Sequence, residues 1–132
     1  MRRSRWIVAG FIGFAGVTLT LAQGAPVKAP SYDVKSEVTV RGKVASVAAI
    51  PDWMGKNGVN VMLQTPDSVV VHVDAAPADF LKMLDFAVAA GDDLEVVGVW
   101  SHWDGNRVLL ARTITRQKVA VSVRDLDGKP VW

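Results

Sequence analysis

The sequence predicts a mainly β fold, and three observations carry that prediction. Apolar and polar residues alternate at period two through a series of short segments. A single helical interruption falls between the third and fourth of these segments. The strongest turn signal, Asp104-Gly105, joins the fourth to the fifth. Three strands, one short helix and two more strands, with an extra C-terminal strand, is the order of an OB-like five-stranded barrel, closed or partly open.

The first strand begins near Ser36. Val38, Val40, Gly42 and Val44 fall on one face, and Glu37, Thr39, Arg41 and Lys43 on the other, which is the pattern of a half-buried strand. Gly42 in mid-strand marks a bend or a close backbone approach. A first strand that curves from one sheet into the other needs such a position. Ile50–Gly58 breaks the alternation with Pro51, Asp52, Gly55, Asn57 and Gly58, forming a loop that holds Trp53 and Met54. Strands follow at Val59–Thr65 and, after Pro66-Asp67, at Ser68–Val73. Pro77 suits a first helical turn and Asp79 the positive end of the helix dipole. Phe80, Leu81 and Leu84 continue at helical spacing, so a helix of about two turns is expected. Phe86 and Val88 fit either its continuation or an extended exit before Gly91-Asp92. The fourth strand, Asp93–Trp100, is apolar on both faces. The hairpin covers Ser101–Asn106, the fifth strand Arg107–Thr115 and the last Val119–Arg124. Closure of such strands into a barrel removes edges that would otherwise aggregate.

The chain has 132 residues and a formal charge of +2. Met1–Arg5 is a cationic start, Trp6–Ala22 is apolar and uncharged, and Ala22-Gln23-Gly24 is a small-x-small exit. Residues 1–24 therefore read as a secretory signal peptide, cleaved or retained as an anchor, and the expected location is periplasmic or otherwise extracytoplasmic. Removing them takes Arg2, Arg3 and Arg5 away and leaves 108 residues at net −1. That is one domain, which excludes a multidomain enzyme, and its charge excludes a strongly basic coat for nucleic acid. Residues 25–35, with Pro26 and Pro30, read as a linker to a domain spanning 36–132. The absence of cysteine excludes disulfides, a thiolate nucleophile, covalent haem and lipid attachment.

Several segments carry a resemblance. These are Val71-His72-Val73, Phe86-x-Val88-x-x-Gly91-Asp92-x-Leu94-x-Val96-x-Gly98, Leu110-Ala111-Arg112-x-Ile114 and the ending Val123-Arg124-Asp125-x-x-Gly128-x-Pro130-x-Trp132. Together they resemble a family of small exported bacterial OB-like proteins, similar to the C-terminal domain of the magnetosome proteins MamS and MamX. The likeness covers most of residues 36–132. The chain departs from the family's frequent Gly-Pro after the third strand, having Asp74-Ala75-Ala76-Pro77 there. The resemblance implies an envelope accessory domain and transfers neither a catalytic activity nor a cofactor. The Cys-x-x-Cys-His motifs of haem attachment are absent.

In an OB barrel the loops between strands 1 and 2 and between strands 4 and 5 make the contacts. Here they hold Trp53, Met54, His102 and Trp103, the expected ligand- or partner-binding residues. Both histidines occur as His-x-Asp, and positions i and i+2 of a strand share a face. His72, Asp74, His102 and Asp104 would thus supply four N/O ligands if they met, and a metal ion is the one cofactor they would accommodate. Asp125-Leu126-Asp127-Gly128 lacks the later ligands of a calcium loop and reads as a turn. Arg41 and Lys43 share a strand face, and Arg107, Arg112 and Arg116 lie along the fifth strand. A single-strand groove also needs aromatics on that face. No nucleophile elbow, phosphate loop or His-Glu-x-x-His motif is present. The expectation is a non-enzymatic exported binding domain that docks an envelope protein or small ligand through those two loops. The alternatives are a periplasmic metal-handling protein using His72 and His102, and single-stranded nucleic-acid binding.

Overall fold

Seven elements follow a 3₁₀ turn at Val34–Ser36: β1 (Val38–Pro51), β2 (Asn57–Gln64), β3 (Val70–Pro77), α1 (Ala78–Met83), β4 (Asp93–Trp103), β5 (Asn106–Arg116) and β6 (Val119–Ser122). The structure, a computed structural model, describes residues 29–132. The expected export segment, 1–24, and the start of the linker lie outside the described residues.

β1 is long because it serves two neighbours. Its first half pairs antiparallel with β4, from Val38↔Gly98 to Lys43↔Asp93. Its second half pairs with β2, from Lys43↔Gln64 to Pro51↔Asn57. The changeover falls at Gly42, where an added Cβ would lie 2.5 Å from the Gln64 carbonyl oxygen. Only a residue without a side chain lets the two backbones come this close. A bulge between Val44 and Ser46 then tightens the local twist.

The remaining pairings close the strands into a ring. β2 pairs with β3, β4 with β5, and β3 lies parallel to β5 at Val73↔Leu109 and Asp74↔Leu110. The ring order β1-β2-β3-β5-β4 is that of an OB-like fold, and β6 adds to the far end of β5 as the extra strand. Leu63, Val73, Val96, Leu109 and Ile114 fill the interior and are essentially inaccessible. Helix α1 packs Leu81 onto this core. It ends in a Schellman motif, with Phe86 N–H donating to the Leu81 carbonyl and Asp85 N–H to that of Lys82. Asp85 takes the left-handed position (φ 55°), and Phe86 is an extended exit that buries its ring against the core.

The alternation of β4 breaks at a bulge between Val97 and Gly98. Beyond it Trp100 packs on the main core, while Val99 joins Val108 and Leu110 in a second cluster under Tyr32 and Trp103. This explains why β4 is apolar on both faces. Tyr32, in the expected linker, is pinned there. Its hydroxyl donates to Glu37 Oε2 (2.5 Å), and Glu37 is also paired with Arg112, both side chains being about one-fifth exposed.

Several boundaries differ from expectation by a residue or more, and three have a clear cause. β3 continues past Val73 to Pro77 because β2 keeps pairing with it as far as Gly58↔Pro77, which places Pro77 at the N-cap of α1. β4 runs past Trp100 to Trp103 because Asp104 (φ 50°) and Gly105 (φ 77°) make a two-residue hairpin turn whose twist suits pairing up to Trp103↔Asn106. β6 stops at Ser122, and Arg124 instead bridges to Pro130. Gly42→Ala is expected to cost about 1–3 kcal/mol or more by forcing β1 off Gln64. Denaturant unfolding measures this, and an unchanged midpoint contradicts the close approach.

Candidate functional site

The ring closure sets β3 beside the β4–β5 hairpin, and the β1–β2 loop folds over the same outer surface. A small cavity of about 30 Å³ forms where they meet, lined by Asp52, Asn60, His72, Asp74, Trp103 and Asp104, among others. Asp74↔Leu110 and Asn60↔Asp74 are register partners, so these side chains share the outward face.

The loop is organised by one carboxylate. Asp52 Oδ1 accepts the N–H groups of Met54 (2.8 Å) and Lys56 (2.9 Å), and the loop closes with Asp52 N–H donating to the Lys56 carbonyl. Asp52 Oδ2 is buried with no hydrogen-bond partner. On the strands, Asn60 Nδ2 donates to the Gly58 carbonyl, which turns Asn60 Oδ1 toward His72 Nε2 at 2.7 Å. An acceptor there places the imidazole proton on Nε2. Burial holds the His72 pKa below its ordinary value, so the ring is neutral near pH 7.

Asp74 has a raised pKa of about 6: burial raises it most, the Arg124 guanidinium opposes, and Asp52 raises it further. Arg124 is itself buried. Its Nη1 donates to the Gly128 carbonyl, and the guanidinium lies between the Tyr32 and Trp132 rings, 5.1 and 5.6 Å from their centroids. The terminal turn is built around Asp125, whose Oδ1 accepts the N–H groups of Asp127 and Lys129. Gly128 (φ 84°) touches Tyr32 so closely that a Cβ would sit 2.4 Å from its ring.

The residues expected to bind a ligand or partner divide. Trp103 lines the cavity and Met54 is about half exposed on the loop beside it. Trp53 is half-buried in the same loop, its indole N–H buried and unpartnered. His102 is exposed one position before Trp103, hence on the opposite face of β4, and does not line the cavity. Of the four residues expected to hold a metal, His72, Asp74 and Asp104 therefore converge and His102 does not join them. Among the described residues no group of three or more His, Cys, Asp or Glu side chains is placed to hold a metal ion. Asp52 and Asn60 also line the cavity and carry no motif in the sequence. Asp52 follows a proline in a loop, a pattern that by itself indicates a turn. The signal for Asn60 was an amide within the apolar run Val59–Leu63.

The cations expected to form a row are each engaged. Arg41 pairs with Glu95 (2.5 Å) and Lys43 with Asp93 (3.0 Å) across β1 and β4. Arg107 stacks on Trp100 (3.7 Å), Arg112 pairs with Glu37, and Arg116 donates to the Ala87 carbonyl beside the Phe86 ring. An open groove of about 710 Å³ lies along Arg41, Lys43, Asp93 and Glu95, where these pairs match charge with charge.

Because the folded protein binds a proton to Asp74 more tightly than the unfolded chain does, this group's contribution to stability is full below pH 4 and is lost as pH rises through about 6. Asp74→Asn is expected to be more stable than the parent at pH 8, by on the order of 2 kcal/mol, with the gain gone at pH 4. Thermal melts of the two proteins across that range measure it, and a pH-independent difference refutes it.

Among the described residues no helix is long and apolar enough to cross a membrane. A comparison with curated proteins finds no match. Among solved structures the N-terminal domain of PriB protein from Thermoanaerobacter tencongensis, described as dimeric, is similar in fold. It has a TM-score of 0.53 and 16% identity, over 64% of this chain and 99% of that one. The model of the MamS/MamX magnetosome protein family matches residues 36–121. The OB-like ring and the match over most of the described chain lead to one statement: the chain belongs to the MamS/MamX magnetosome protein family.

Proposed function

We propose that this protein is a non-enzymatic, magnetosome-associated accessory domain of the cell envelope. It docks another protein or a small ligand on the outer face of β2 and β3, between the β1–β2 loop and the β4–β5 hairpin. One observation carries the reading: Asp52 from the loop and Trp103 from the hairpin line the same cavity over His72 and Asp74. Loops that converge on this face are where an OB-like fold makes contacts. Trp103 and the exposed Met54 offer area with few rotors to freeze. Family membership supports the accessory role, and the cationic start with its apolar run supports export.

Observations weigh against the other two readings. His72 commits Nε2 to Asn60, and His102 stands apart, which disfavours a shared metal. Arg41, Lys43, Arg107, Arg112 and Arg116 already have partners within the chain, which disfavours a cationic groove for single strands.

Affinity capture on the immobilised protein tests the docking face. Met54→Glu and Trp103→Ala are expected to reduce recovery of bound partner by about tenfold or more. His102→Ala, on the other strand face, is expected to leave it unchanged. Equal recovery by all three variants, with unaltered circular dichroism, rules the face out.

A further inference from the structure

Among the described residues three side-chain polar atoms are buried without a hydrogen-bond partner, and two of them belong to consecutive residues of the β1–β2 loop. They are Asp52 Oδ2, an acceptor, and Trp53 Nε1, a donor. Both are closed to solvent, so neither water nor a ligand reaches them while the loop lies on the β2–β3 face. Each group therefore forgoes the hydrogen bonds that water would give it.

The loop is otherwise bonded to itself. Asp52 Oδ1 holds the N–H groups of Met54 and Lys56, Asp52 N–H donates to the Lys56 carbonyl, and Gly55 N–H donates to that of Asp52. Among the described residues no hydrogen bond or ion pair ties residues 52–56 to β3 or to the β4–β5 hairpin. The loop is thus a unit that keeps its internal bonds whether it lies on the face or stands off it. Across the cavity that both line, Asp74 repels Asp52. The other titratable groups lining that cavity are His72, which is neutral, and Asp104, a further carboxylate. Arg124 attracts Asp74 but is held by the Gly128 carbonyl and two rings. Lifting the loop hydrates both orphaned groups and separates the two carboxylates.

The hinge lies where the strands end. Pro51↔Asn57 is the last β1–β2 pair. At the pair before it, Ile50↔Gly58, a Cβ on Gly58 would lie 2.9 Å from the Ile50 carbonyl oxygen. A few residues at the end of an element suffice to absorb the rotation of a closing loop.

We propose that residues 52–56 form a lid that lifts off the β2–β3 face about the Ile50↔Gly58 pair and uncovers Asn60, His72 and Asp74 to the docking partner. The inference rests on the docking reading above and adds its regulation: the face admits a partner in the lifted state, and Met54, carried on the lid, closes onto it.

The test follows hydrogen exchange of the Trp53 indole N–H by NMR in the full chain. The indole is expected to exchange at least about a hundredfold faster than the core amide of Val61, because lifting the lid leaves the barrel folded. Gly58→Ala, which presses on the Ile50 carbonyl, is expected to speed the indole's exchange about threefold or more. Asp74→Asn, which removes the repulsion, is expected to slow it by about the same factor at pH 8, with the difference gone at pH 4. An indole that exchanges only together with Val61, or a rate that neither variant moves, overturns the lid. The two readings fail separately. If the indole exchanges only with the core while Met54→Glu still abolishes partner capture, the docking face stands and the lid falls. If the indole exchanges ahead of the core and responds to both variants while Met54→Glu and Trp103→Ala leave capture unchanged, the docking face falls and the lid remains.

Discussion

Two register pairs, Val73↔Leu109 and Asp74↔Leu110, join β3 to β5 and turn an open sheet into a ring. Nearly everything else depends on that closure. Inward, it seals Val73 and Leu109 in the core, each at most 1% exposed. Outward, it carries Asp74 to the flank of the β4–β5 hairpin. The same backbone contact thus completes the apolar interior and assembles the polar cavity. The closure also demands a sharp change of direction in β1, which the chain meets at Gly42, where β1 leaves β4 for β2.

A small ring has a limited interior, and this protein enlarges its buried apolar surface by covering one outer patch as well. Val99, Val108 and Leu110 lie outside the ring under Tyr32 and Trp103. Tyr32 is held from two sides: Glu37 and Arg112 fix its hydroxyl, and Gly128 and Arg124 abut its ring. The terminal Arg-Asp-x-x-Gly-x-Pro-x-Trp stretch then has a physical account. Arg124 is a buried cation between two aromatic rings, Asp125 organises the turn, Gly128 permits contact with Tyr32, and Trp132 packs near Phe80, with ring centroids 6.1 Å apart. Both ends of the described chain are therefore fastened to one another across the hairpin.

The electrostatics follow the same economy. Cations along β1 and β5 are matched with carboxylates, rings or carbonyls, whereas among the described residues no Lys or Arg lines the cavity above β3 that Asp52 and Asp74 share. Exposed pairs such as Lys43–Asp93 contribute little to stability.

Much of the fold was legible because period-two alternation, Gly42, the lone helix and Asp104-Gly105 are local signals that report on local backbone. Val38, Val40 and Val44 turned inward as their spacing implied, and the five-strand order with a sixth addition followed from segment sequence alone. Strand ends were less legible, since β3 and β4 are prolonged by neighbours that no local window contains. The site was legible only in part. Trp103 and the His-x-Asp pairs were conspicuous, but residues 52, 60, 74 and 103 lie on four separate segments, and their convergence is a property of register and ring closure. The bulge between Val97 and Gly98 illustrates the division: composition shows that β4 is apolar on both faces, but only packing assigns Trp100 to the core and leaves His102 apart from His72. Local chemistry thus specified which elements form, because propensity and turn geometry act over a few residues. Which side chains meet was decided by closure, because pairing at long range sets the face each residue presents.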